Sequence, residues 1–179
     1  MISQDALKQN NCILHWTGSN STANSIKTIT AVGDCKQILP FPGAGIGMFD
    51  GNGDYVSAAY STDLEPAGGD FTYECWFNIP NVSGQKTIFA FNTDYHLGIF
   101  INGSHINYFM SSTGSSWDLI CGDGGPFNGA GSNTVTANEW HHLAFVRSGN
   151  NWYGFYDGKL DLSLIVAGTV VSRSEAKIS

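Results

Sequence analysis

Basic side chains are scarce in this chain. Eight Lys and Arg stand against fifteen Asp and Glu, a formal net charge of −7, and nowhere do the basic residues cluster. A surface that tracks phosphates needs such a cluster, so no nucleic-acid partner is expected. Long apolar runs are also missing, and nothing approaches the ~20 residues of a membrane span, so no membrane insertion is expected. The opening segment, Met1 to Asn11, is polar, without a basic start or an apolar stretch. It does not read as a secretory leader, and the expectation is synthesis in the cytoplasm or a leader already removed. Four cysteines, Cys12, Cys35, Cys75 and Cys121, show no C-x-x-C spacing, which argues against zinc. They are read as thiols, with a Cys12–Cys35 disulfide as the alternative.

Catalytic patterns are absent too. Alternating carboxylates on a strand can serve a glycosidase, but the i, i+2 pair Asp63 and Glu65 lies in a loop ending at Pro66. No G-x-S-x-G nucleophile elbow occurs, so the chain is not expected to be an enzyme and no catalytic residue is assigned.

Gly, Asn, Ser and aromatic residues are plentiful, which favours short strands and many turns over helices. The segment from Asn138 to Lys159 shows this best. Two aromatic and β-branched runs flank Ser148-Gly149-Asn150-Asn151, residues that suit a hairpin turn. Asp157-Gly158 then predicts a further tight turn, with a third antiparallel strand from Lys159. Alternation places His141, Leu143, Phe145 and Arg147 on one face, and Trp140, His142, Ala144 and Val146 on the other. Both faces are largely apolar, so the sheet should be covered, and in a protein without helices the cover is a second sheet.

These residues resemble a known family. Trp140-His141-His142-Leu143-Ala144-Phe145-Val146-Arg147 followed by Tyr156-Asp157-Gly158-Lys159 is similar to a hairpin of the concanavalin A-like, laminin G-like jelly-roll domains. Phe49-Asp50-Gly51-Asn52-Gly53-Asp54-Tyr55 and Gly69-Asp70-Phe71-Thr72-Tyr73-Glu74-Cys75-Trp76 resemble two further family strands, in the family's order. The type closest to all three recurs in bacteriophage virion and tail proteins. The resemblance implies an all-β, antiparallel two-sheet jelly-roll sandwich over 11–172, with an arm at 1–10 and a tail at 173–179. It does not extend to an acidic residue before Gly18, where Trp16-Thr17 stand, nor to the family's last strand, so an open sheet edge is expected to be filled by the N-terminal strand or by a neighbouring subunit. The function implied is a structural or interaction component of a virion, in an oligomer with other particle proteins and assembled in the host cytoplasm. The alternative is a lectin-like adhesin that binds surface glycans at an extracellular or cell-surface location.

Strands are predicted over Cys12–Trp16, Ile26–Val32, Tyr55–Ala58, Phe71–Pro80, Thr87–Phe91, His96–Ile101 and His105–Met110, with a turn at Asn102-Gly103. Gln37 to Gly47 holds Pro40, Pro42 and three glycines and is read as a crossing loop. Ser111 to Asn138 is the least regular region and the expected contact surface. Sugars stack on exposed rings while Asp and Asn take their hydroxyls, so turn-borne Asp94 and Tyr95, Trp117 and Asp118, and Phe127 and Asn128 are the ligand candidates. In the turn after Phe49, Asp50 and Asp54 are calcium candidates. Tyr55 and Ser61 fall where an EF-hand needs Gly and Glu, so a turn fastened by Asp side chains is the competing reading, and no other cofactor is expected.

Overall fold

The computed structural model describes residues 29–34, 36–41, 44–58, 68–91, 95–122, 124 and 127–171, all of them in strands, turns and loops. The predicted Cys12–Trp16 strand, the Cys12–Cys35 alternative, Asp94 and the 173–179 tail lie outside the described residues. Two compact units divide the chain, one of Met1–Leu64 with Ser174–Ser179, the other of Glu65–Arg173.

In the first unit β1 (Ile29–Val32) and a later strand, β4 (Tyr55–Ala58), form an antiparallel pair. Between them lie β2 (Lys36–Phe41) and β3 (Ala44–Met48), a second antiparallel pair. The expected crossing loop over 37–47 is therefore a hairpin. Its register jumps between Ile38 and Phe41, which places Leu39 and Pro40 at an irregularity. Proline is tolerated at such a break because no ladder amide is needed there, and the β-forming residues around it decide the outcome.

The second unit is the sandwich. One sheet has the order β10-β8-β7-β6, with β9 also on β8; the other runs β13-β12-β11-β5. Their strands are β5 (Phe71–Phe77), β6 (Lys86–Ala90), β7 (Leu97–Asn102), β8 (His105–Met110), β9 (Ile120–Cys121), β10 (Ala130–Thr134), β11 (His141–Ser148), β12 (Asn151–Tyr156) and β13 (Lys159–Ile165). All these pairings are antiparallel. The hairpins after Ser148 and Tyr156 form where expected; Asp157 and Gly158 both adopt positive φ, 49° and 73°. The β7–β8 turn falls at Gly103-Ser104, one residue beyond the predicted dipeptide, and both residues again have positive φ.

Period-two alternation sorts the faces. Leu97, Ile99 and Ile101 with Ile106, Tyr108 and Met110 point inward, each at most 1% exposed. From the facing sheet Leu143, Phe145, Trp152 and Tyr156 meet them. Tyr108 packs on Phe145 with ring centroids 4.8 Å apart, and Tyr73 on Phe89 at 4.9 Å, so aromatic pairs bridge the layers. Gly154 leaves space for Tyr108, since a Cβ there would collide with the phenol. His141 faces inward, its ring hydrogen-bonded to Asp157, Tyr156 and Thr136, while His142 faces out, on the opposite faces that alternation predicts. Arg147 also turns inward, donating to the Gly149 and Gly168 carbonyls over the Trp152 ring.

At one side the layers are fastened by Asp161. The β12–β13 register slips beside Gly154 and Phe155, and the extra residue, Asp161, turns inside at 4% exposure. Its carboxylate accepts hydrogen bonds from the Tyr108 hydroxyl, the Asn133 amide N–H and the Asn133 side chain. Register irregularities also interrupt β10 against β8 and β6 against β7.

Candidate functional site

The outer face of the five-stranded sheet carries an aromatic row. With Ile99 and Tyr108 committed to the core, alternation sends Phe100 on β7 and Phe109 on β8 to the opposite face, where both are half-buried. Their rings meet edge to face at 5.3 Å. Trp117 packs on Phe109 at 5.3 Å, and Tyr95, 43% exposed, packs on Trp117 at 5.0 Å. Each ring thus supports the next from the sheet out to two loops.

Two glycines shape this row. A Cβ on Gly98 would strike the far edge of the Phe100 ring, and one on Gly122 would strike the Phe109 ring. With neither Cβ present, both rings lean across the sheet. The Asn107 side chain beneath donates to the Asn102 and His105 carbonyls and is 2% exposed, so the floor beside the rings presents little polar surface.

Trp117 is positioned by its neighbour. The Asp118 carboxylate accepts from the Ser111 hydroxyl at 3.0 Å, the Ser112 amide at 2.9 Å and the Ser112 hydroxyl, while Ser111 Oγ accepts the Thr113 and Gly114 amides. Burial acts to raise the Asp118 carboxyl, but the hydrogen bonds from Ser112 and Ser111 outweigh it and bring it down to about 2. A loop that follows β8 is therefore held rigid by one ionised side chain.

Of the candidates read from sequence, the structure brings Tyr95 and Trp117 together. Asp118 is occupied with the turn. Asn128 accepts the Ala130 amide through Oδ1, and Phe127, exposed at 39%, accepts the Cys121 amide through its own carbonyl; neither belongs to the row. Phe100 and Phe109 were not among the sequence candidates, because aromatics were sought only in turns. Their signal was the alternation against Ile99 and Tyr108. On the other sheet Trp76, 65% exposed, packs on His142 at 5.1 Å, and the outward Tyr153 and Phe155 rings of β12 stand 6.3 Å apart, a pair and a pair instead of a continuous row.

In the first unit, carboxylate oxygens of Asp34, Asp50 and Asp54 lie within 4.8 Å of one another. Oxygen donors of this kind suit Ca²⁺. Yet Asp54 accepts the Asp34 amide on one oxygen and the Asp50 amide on the other, and Asp50 accepts the Asn52 amide. The turn itself uses the Asp50 and Asp54 carboxylates.

A family model described as the concanavalin A-like lectin/glucanases superfamily matches residues 50–178, and the chain belongs to that family. No curated protein matches the sequence. Among solved structures, the carbohydrate-binding module CBM66 from Bacillus subtilis is 16% identical with a TM-score of 0.48, covering 84% of each chain. An alginate lyase from Corynebacterium sp. is 12% identical with a TM-score of 0.33, covering 66% of this chain and 53% of the enzyme, so the chain spans about half of that enzyme's length. At these values neither likeness says what this chain binds.

Proposed function

We propose that the domain is a non-catalytic carbohydrate-binding module whose ligand lies along Phe100, Phe109, Trp117 and Tyr95. The observation that carries this reading is the row itself, four aromatic rings in successive contact on an outer sheet face. The C–H faces of sugar rings stack on such surfaces, and rings already braced by one another lose little entropy when a ligand arrives. Catalysis has less support. The carboxylate beside Trp117, Asp118, is ionised and fully used by serines, so at neutral pH it offers no proton to a leaving group. A role as a virion component, the leading expectation from sequence, has no structural observation in its favour, and the adhesin alternative moves ahead of it.

The test is binding of the purified protein to a glycan array, followed by calorimetry on the hits. Tyr95→Ala and Trp117→Ala should each weaken binding about tenfold, near 1.4 kcal/mol, with the fold unchanged by circular dichroism. Absence of binding across the array, or hits indifferent to both substitutions, would remove this reading.

A further inference from the structure

The charge around the ring row narrows the ligand. Building on the carbohydrate-binding reading above, we infer that the site takes an uncharged polysaccharide and grips several consecutive sugars of its chain instead of a terminal sugar or an acidic glycan.

The first half of the inference comes from where the cations are. An acidic polysaccharide presents a carboxylate or sulfate on many of its sugars, and proteins that hold such chains set Arg or Lys against them. Within the described part of the sandwich unit the cationic side chains are Lys86, Arg147 and Lys159. Lys86, on β6 of the same sheet, stands opposite the core-facing Ile101, on the face away from Phe100, and donates its ammonium to the Ser83 carbonyl at 2.7 Å. Arg147 is inside, its guanidinium over Trp152 and hydrogen-bonded to Gly149 and Gly168. Lys159 stands at the start of β13, in the other sheet. The imidazole on the row's own face, His105, points its Nδ1 at the Asn133 carbonyl. The charge that the row's own turn carries is negative, the Asp118 carboxylate next to Trp117 in the chain and bonded to Ser111 and Ser112, in a protein of net charge −7. Among the described residues of the sandwich unit a polyanion would meet no cation on the row's face to offset the repulsion, whereas a neutral chain needs none.

The second half comes from shape. Four rings join in succession from β7 through β8 to the 111–118 turn and Tyr95, on a sheet face where Gly98 and Gly122 let the phenyl rings lean down. A site for a terminal sugar encloses it and fixes each hydroxyl with buried polar groups. Here the nearest buried amide, Asn107, spends its donors on backbone carbonyls. The surface rewards length over enclosure.

The experiment is affinity gel electrophoresis and calorimetry of the full chain against two sets of polymers, neutral (xyloglucan, mixed-linkage β-glucan, galactomannan, levan) and acidic (alginate, polygalacturonate, heparin), at low and high salt. At least one neutral polymer should bind, with affinity changing less than about twofold between the two salts. Its oligosaccharide should compete at least about tenfold better than its monosaccharide. Tyr95→Ala should weaken that binding, which separates ring stacking from adventitious adhesion. Preference for an acidic polymer, weakened by salt, would overturn the charge inference and leave carbohydrate binding standing. A monosaccharide that competes equally well would overturn the extended-chain inference. No binding to any polymer in either set would overturn both together with the reading on which they rest.

Discussion

The Tyr108 hydroxyl donates to Asp161 Oδ2 at 3.1 Å, joining β8 of one sheet to β13 of the other where solvent does not reach. Burial first, and then the charge of Asp161, hold the phenol far above its ordinary pKa, so Tyr108 remains a donor throughout the accessible pH range. Asp161→Ala leaves the Tyr108 hydroxyl and two Asn133 donors without their acceptor and should cost on the order of 3–5 kcal/mol in chemical denaturation. Tyr108→Phe removes one donor and should cost about 1–2 kcal/mol. Because the two residues share a bond, the double variant should lose less than the sum of the single losses. Full additivity would mean that the bond contributes nothing.

Acid should loosen the Trp117 turn only near pH 2. Asp118 is lowered on folding from 3.8 to about 2, so the stability it supplies is complete above pH ~4 and is lost as the pH falls through 2. Tryptophan fluorescence titrated downward should show a step in that window, absent in Asp118→Asn. At neutral pH the same variant should bind glycan more weakly, since its turn is permanently slack.

Gly98→Ala tests the shape of the row without touching a ring. The new Cβ would occupy the place of the Phe100 ring edge, which must lift. Glycan affinity should fall several-fold while the thermal midpoint moves by only a few degrees. Unchanged affinity would remove Phe100 from the contact surface.

Cys75 faces the core beside Phe71, Tyr73 and Phe77, and burial, aided by the neighbouring Glu74 charge, pushes its thiol up to about 12. Peptide mapping after mild alkylation at pH 8 should find Cys75 unmodified in the native protein and modified in denaturant. Rapid native labelling would place it at a surface.

Calcium can be tested at the Asp50 turn. Because Asp54 secures two backbone amides, Asp54→Ala should lower the melting temperature by a few degrees whether or not calcium is present. A melting temperature that rises with Ca²⁺ and falls with chelator in the parent, but not in the variant, would instead make Asp34, Asp50 and Asp54 a cation site.

The parts of the structure that were legible in sequence are those set by local chemistry. The β11–β12–β13 meander follows from alternation and two turn dipeptides, all within one stretch of chain. Pro40 misled because a proline reads as a breaker, whereas a register irregularity absorbs it. Asp161 was invisible for the opposite reason, since the inserted residue reverses which positions face inward and alternation does not announce where that happens. The site divides the same way. Tyr95 and Trp117 were singled out for lying in turns, but their meeting depends on a loop folded back by Asp118, and the share of Phe100 and Phe109 depends on a register between strands.

The register breaks carry a further consequence. Three strands at the margins of the two sheets, β6, β10 and β13, are each interrupted. A straight margin exposes a regular series of amides and carbonyls on which another molecule can crystallise strand by strand, as amyloid does. Kinked margins break that series. The remaining margin, β5, pairs in unbroken register with β11 over Phe71–Phe77, so edge-to-edge association of this domain would be directed there.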